Sequence, residues 1–297
     1  MVPPPPRLTP AARSWQMAGS MKVLTTIAEV RAERAKLGRL ALVPTMGALH
    51  AGHLSLIDVA RRRAPHVAVS IFVNPTQFGH GEDYNRYPRP LEDDLAKCRN
   101  NGVDLVFAPA AEEMYPPAAV DCTIDLPALS TMLEGKHRQG HFKGVCQVVG
   151  KLFNIVRPDV ACFGQKDYQQ LRIIEAMAEA LDFNIEIIPC PTLRDPDGLA
   201  MSSRNAYLSP EEREKSLAVS RALFAAQQEF ANGVRQANRL LTTVQKTILE
   251  RHLLIDYVAA VDAKTLKHTD VVAGPTVIAV AVRVGKTRLI DNVLLEP

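Results

Sequence analysis

Two histidines three residues apart, in the run Pro44-Thr45-Met46-Gly47-Ala48-Leu49-His50-Ala51-Gly52-His53, are the first residues whose types and spacing could do chemistry. The run follows an apolar segment and leads into a helical pattern, so a strand-to-helix turn is expected. A helix start presents free N–H groups and the positive end of its dipole, and imidazoles add donors aimed at phosphate oxygens. Gly52 would let a ligand approach the backbone closely. The turn reads as an anion site suited to a triphosphate. Two helical histidines sharing a cation is the rival reading.

Three further polar runs sit in comparable places. Val73-Asn74-Pro75-Thr76-Gln77-Phe78 follows a second apolar segment. The amides of Asn74 and Gln77 can donate and accept at once, which suits a small polyhydroxy acid, although a plain proline-containing loop would read the same. Phe163-Gly164-Gln165-Lys166-Asp167 follows another apolar segment. There Lys166 is placed to offset phosphate charge, and Asp167 to cap a helix or face a ribose or a metal; a solvated surface lysine is the plainer alternative. Last, Met201-Ser202-Ser203-Arg204 puts two hydroxyls and a guanidinium in a loop that could close over polyphosphate or serve only as a linker.

The elements that must position these residues follow from periodicity. Apolar runs at 39–44, 67–73, 103–108, 160–163 and 184–189 read as buried strands, alternating with helical stretches at 54–63, 91–101, 145–156 and 168–181. Such alternation predicts an α/β, Rossmann-like, doubly wound parallel sheet whose ligands bind at the carboxyl ends of the strands. Beyond about 193 the pattern changes to helices at 210–230 and 234–252 and strands at 255–261, 276–284 and 287–294. The expected organisation is a flexible extension over 1–20, a Rossmann-like domain over 21–192 and a smaller α+β lid domain over 193–297.

Composition excludes several classes. The 297 residues are 47% hydrophobic, enough for a substantial core, and carry a net charge of only +3 with acids and bases interleaved. No basic stripe marks a nucleic-acid partner. No apolar run is long enough for a signal peptide or a membrane span, so a cytoplasmic address is expected. Five widely spaced cysteines without a C-x-x-C pair argue for reduced, buried thiols rather than a disulfide framework or a zinc knuckle. No G-x-S-x-G elbow offers a hydrolase nucleophile.

Together the strings P-T-M-G-A-L-H-A-G-H, N-P-T-Q-F, R-Q-G-H-F-K-G-V, G-Q-K-D-Y-Q-Q and G-L-A-M-S-S-R-N closely resemble the pantothenate synthetase family, within the H-x-G-H nucleotidyltransferase superfamily. The resemblance implies that ATP and pantoate form pantoyl-adenylate and pyrophosphate, and that β-alanine then displaces AMP to give pantothenate. It implies Mg²⁺ and a homodimer as well. It would set Met46, Gly47, Ala48, Leu49, His50, Ala51, Gly52, His53, Gly164, Gln165, Lys166, Asp167, Leu193, Met201, Ser202, Ser203 and Arg204 around ATP. Of these, His50, His53, Lys166 and Arg204 would be catalytic, with His53 a proton donor or phosphate stabiliser. Gln77 and Gln170 would hold pantoate, Gln77 also β-alanine; Asp93 and Asp94 would lie near the metal or the phosphates, and Arg138 would support them. Leu193 replaces the family's valine, of little consequence if its contact to adenine is through backbone. The H-x-G-H signature alone is shared with enzymes that move AMP or CMP to a phosphate ester and stop, and a silent nucleotide-binding protein could share the fold.

Overall fold

A computed structural model describes residues 21–120 and 122–297; the extension expected over 1–20 lies outside the described residues. The Val- and Ile-rich runs form β1 (Lys22–Leu24), β2 (Leu40–Thr45), β3 (His66–Ile71), β4 (Leu105–Phe107), β5 (Val160–Gly164) and β6 (Glu186–Cys190), all paired in parallel in the order β1-β4-β3-β2-β5-β6. Alternation along β2 shows why both faces are wound. Leu40 and Leu42 join a core with Phe142, Val149, Phe153 and Ile173, while Ala41 and Val43 join another with Ile57, Ala60, Leu95 and Cys98. The helices His141–Val156 and Tyr168–Ala180 therefore cover one face, and Ala51–Arg63 and Leu91–Asn100 the other. This is the doubly wound parallel sheet that the alternation of patterns predicts.

The chain leaves β2 through β3 and β4 on one side and returns to place β5 on the other, so strand order reverses between β2 and β5. Ligands of open parallel sheets bind in the crevice at such a reversal. Ala41 pairs with Val160 and Leu42 with Ala161, which brings the turn after Thr45 beside the turn after Gly164.

Residues 254–295 form a separate antiparallel sheet, β7 (Leu254–Asp262), β8 (Thr276–Val284) and β9 (Thr287–Leu295). On one face Ile278, Val280 and Val282 pack with Leu223, Leu240 and Val244 of the helices Pro210–Ala231 and Ala237–Leu249. On the other, Val277 and Ala279 pack towards Leu129, Met132 and Tyr168 of the larger unit. Both faces of β8 are thus covered, which accounts for its unbroken apolar run. No described helix is long and apolar enough to cross a membrane.

Two differences from the sequence reading have local causes. The helix Ile27–Arg34 was not expected, yet Thr26 and Glu29 form a reciprocal capping box that T-x-x-E signals. The helix expected from 54 begins at Ala51, because the His50 side chain takes the N-cap place usually held by Ser, Thr, Asp or Asn.

Close approach governs the end of β3. A Cβ on Gly144 would stand 2.3 Å from the Thr76 carbonyl oxygen and 2.6 Å from the Gln77 nitrogen, so only glycine lets the helix His141–Val156 touch the 75–77 turn. On the same helix, a Cβ on Gly150 would meet only the mobile end of Ile124, at 3.0 Å. Gly144→Ala should therefore destabilise the fold by about 1–3 kcal/mol through overpacking against backbone, while Gly150→Ala should be close to neutral or stabilising. Denaturant unfolding of the two variants checks this; equal effects would refute the packing argument.

Candidate active site

His50 caps its own helix. Its Nδ1 accepts from the Gly52 N–H at 3.1 Å, and the His53 Nδ1 accepts from the His50 N–H at 3.3 Å, with the two ring centroids 4.1 Å apart. With both Nδ1 atoms acting as acceptors, each neutral ring carries its proton on Nε2, where it is free to donate to a ligand. Gly52 is required here: a Cβ would lie 2.8 Å from the His50 ring. Burial, followed by the Lys166 charge, pushes His50 down to about 4; burial, followed by its neighbour His50, pushes His53 down to about 3. Both imidazoles are neutral at physiological pH.

The 46–49 turn behind them is held from the opposite side. Asp94 is fully buried and accepts from the Ala48 and Leu49 N–H groups, each at 2.7 Å, while Lys97 donates to the Leu49 carbonyl at 2.8 Å. Gly47 and Ala48 turn with positive φ, and a Cβ on Gly47 would meet the Asp94 carboxylate at 3.0 Å.

At the end of β3 the Gln77 amide is fixed in orientation. Its Oε1 accepts from Asn74 Nδ2 at 3.1 Å, and its Nε2 donates to the Met46 sulfur at 3.2 Å. Asn74 is in turn held by the Tyr115 hydroxyl at 2.9 Å and by the Gly144 carbonyl at 3.1 Å. His141 donates from Nδ1 to the Gln77 carbonyl at 2.8 Å and accepts from Arg138 on Nε2 at 3.0 Å, so it carries the opposite tautomer from His50 and His53. Burial first, then the Arg138 charge, pushes it down to about 4.

Across the reversal point, the ammonium of Lys166 has Asp167, at 3.9 Å, as its one partner among the described residues. Arg204 makes a bidentate pair with Asp83, at 2.8 and 2.9 Å, and Arg138 another with Glu82. Ser202 caps the Arg204 N–H and Ser203 donates to the Ala48 carbonyl at 3.2 Å, which ties the 201–204 segment to the histidine turn.

These groups line one cleft of about 240 Å³: Met46, His50, Gly52, His53, Gln77, Arg138, Gly164, Lys166, Asp167, Gln170, Leu193, Met201, Ser202, Ser203 and Arg204 all border it. Gly47, Ala48, Leu49, Ala51 and Gln165 do not; the first three turn back towards Asp94, and the Gln165 carbonyl accepts from Asn292. Asp93 and Asp94 do not form a pair. Asp93 is exposed on the helix surface, while both oxygens of Asp94 are engaged by backbone. Among the described residues there is no group of three or more His, Cys, Asp or Glu side chains able to hold a metal.

Comparison with known proteins decides among the remaining readings. The family model for pantoate-beta-alanine ligases matches residues 22–294. The chain belongs to the pantoate-beta-alanine ligase family. It is 51% identical to pantothenate synthetase 1 of Bradyrhizobium diazoefficiens, over 93% of this chain and 99% of the relative, and 52% identical to the Moorella thermoacetica pantothenate synthetase over the same shares. The crystal structure of the Thermus thermophilus pantothenate synthetase superposes with a TM-score of 0.89 at 44% identity, covering 93% of this chain and all of that one. A Francisella tularensis pantoate-beta-alanine ligase, described as complexed with β,γ-ATP and β-alanine, superposes at 0.76 with 34% identity, covering 93% of this chain and 98% of that one.

Several of the ligase's cleft partners were not singled out from the sequence. Glu82 and Asp83 are adjacent acids that no quoted motif includes, and Tyr115 lies far from any; the contacts of Asp83, Glu82 and Tyr115 depend on folding across 121, 56 and 41 positions. His141 could have been found, since it stands in R-Q-G-H-F-K-G-V.

The three depressed histidines fix a pH dependence. Between their folded values of about 3 to 4 and the ordinary 6.5, the unfolded chain binds protons that the folded chain does not, so stability falls as pH falls through that window and is level above it. The melting temperature should drop from about pH 6.5 to 5, where carboxylates remain ionised, and the slope should be shallower in His141→Gln. An unchanged slope in that variant would show that His141 is not held neutral by burial.

Proposed function

We propose that this cleft activates pantoate with ATP as pantoyl-adenylate and then passes the pantoyl group to β-alanine, so that ATP, pantoate and β-alanine yield pantothenate, AMP and pyrophosphate. Membership of the pantoate-beta-alanine ligase family supports the overall reaction. The observation that carries the order of steps is the inventory of the cleft, which holds hydrogen-bond donors and cations but no activated protein nucleophile. In the first step a carboxylate oxygen of pantoate attacks the α-phosphorus, the bond to the β-phosphate oxygen breaks, and pyrophosphate leaves with the electron pair. The attacking group is already ionised at neutral pH, so positioning and charge neutralisation matter more than a general base. In the second step the amine of β-alanine attacks the acyl carbon and AMP departs.

Each residue's part follows from its surroundings. The two Nε2–H groups, held neutral, are assigned to phosphate oxygens as hydrogen-bond donors; this favours the stabilising role for His53 over proton transfer, because burial keeps the ring neutral. Lys166 and Arg204 are assigned the formal positive charge. At about 4 Å a unit charge is worth roughly 4 kcal/mol at an effective dielectric near 20, against about 1.5–3 kcal/mol for a hydrogen bond from a neutral donor to a charged oxygen, so the cations contribute more. The Gln170 side chain has no hydrogen-bond partner among the described residues and lines the cleft with Gln77, which supports their assignment to pantoate, and that of Gln77 to β-alanine as well. Met46, Gly52, Gly164, Asp167, Leu193, Met201 and Ser202 are assigned as the remaining walls around ATP.

Mg²⁺ belongs to the reading by resemblance, where it would neutralise triphosphate charge. The residues do not fit a protein-made cage for it, since Asp94 is committed to backbone and Asp93 faces solvent. A homodimer completes the proposal on the same resemblance, and a cytoplasmic address and a division of the chain near residue 192 into a nucleotide-binding unit and a lid complete it on the sequence pattern.

Without β-alanine, the chain should release close to one pyrophosphate per site in a pantoate-dependent burst, and AMP release should need both substrates. Pyrophosphate release that required the amine would overturn the two-step order. His53→Ala and Lys166→Ala should each lower turnover by about a hundredfold with melting intact. Near-normal rates in either variant would remove that residue from the machinery.

A further inference from the structure

Asn292 lies on β9 of the smaller sheet, yet its side chain reaches the turn that carries Lys166. Its Nδ2 donates to the Gln165 carbonyl at 3.0 Å and to the Lys166 carbonyl at 2.9 Å, so both amide hydrogens are spent on the two residues at the end of β5. The residue is buried, with 8% of its surface exposed. Next to it, Asp291 accepts a bidentate pair from Arg194 at 2.6 and 2.9 Å and also receives the Asn292 N–H at 2.8 Å. Arg194 follows Leu193 of the cleft wall and donates to the Gly198 carbonyl at 3.2 Å. Two consecutive residues of β9 thus hold both the lysine turn and the 193–201 loop.

We propose that Asn292 is a positioning residue for Lys166, a part of the catalytic apparatus supplied by the C-terminal sheet; this rests on the assignment of Lys166 to the phosphates. Among the described residues the lysine head group has no partner nearer than Asp167 at 3.9 Å, so where it can reach is set by where its backbone is fixed. Asn292 is the side chain that fixes it. An aspartate of the same shape would set an oxygen against two carbonyl oxygens, and an alanine would leave both carbonyls without their donor. Either change frees the turn, and a displacement of about 1 Å in a charge-stabilising group can cost on the order of a hundredfold in rate.

The test is a double-mutant cycle read by pantoate-dependent pyrophosphate release, with thermal melting alongside. Asn292→Ala and Asn292→Asp should each lower kcat by about tenfold or more while the KM for pantoate stays within about twofold. In a Lys166→Ala background the same substitutions should lower kcat by less than about twofold, because the group they misplace is already gone. Asn292→Ser, which keeps one donor, should fall between, and it carries the comparison if the other variants fail to fold. Equal fold-losses in both backgrounds, or a rise in the pantoate KM without a loss of kcat, would overturn the positioning role. An impaired Lys166→Ala beside a normal Asn292→Ala would overturn it while leaving the lysine assignment standing; full activity of Lys166→Ala would overturn both.

Discussion

The parallel pairing of β2 with β5 is the constraint on which the site depends. It sets two segments more than a hundred residues apart in register, Ala41 against Val160 and Leu42 against Ala161, and so aligns the turn that follows each strand. One turn carries the paired imidazoles, the other the ammonium. Neither is an anion site of any strength alone: a helix terminus contributes about 0.3–1 kcal/mol and a solvated lysine little more. Together at one cleft they become useful, and the sheet supplies the proximity.

Support of the site follows a pattern in which each reactive group is held by a partner behind it, and of these partners only Asn74 also borders the cleft. Asp94 fixes the backbone behind the histidines, Asn74 and Tyr115 orient Gln77, and Asn292 holds the turn of Lys166. Burial then settles the electrostatics. A desolvated imidazole loses its charge readily, so burial makes His50 and His53 neutral donors. Arg204 is held by Asp83 and Arg138 by Glu82. The two arginines are thus anchored from one short acidic stretch, and a bound triphosphate would compete with Asp83 for the first.

Much of this was legible in the sequence, for reasons that can be named. The strands around Leu42, Val69 and Ala161 are apolar on both faces, bounded by turns and separated by helical stretches, a combination that a doubly covered parallel sheet satisfies. The motifs at 46–53, 164–167 and 201–204 lie directly after strands or at the junction between sheets, where a parallel fold puts its ligands. What could not be read were contacts between segments that no local pattern links. Asp94 illustrates the limit: its type allowed a metal ligand, but two N–H groups lying 45 and 46 positions earlier in the chain claim its oxygens. Asn292 illustrates it again, as a lone amide inside an apolar strand whose partners are 126 and 127 residues away.

The central claim is that the cleft neutralises a triphosphate so that a carboxylate can attack its α-phosphorus directly. Pantoate labelled with ¹⁸O in its carboxylate reports on that bond alone. A complete turnover with ATP and β-alanine should leave one labelled oxygen in the phosphate of AMP and none in pyrophosphate, since the oxygen that attacks phosphorus stays with it when the amine displaces AMP. Label in pyrophosphate, or AMP free of label, would contradict the account.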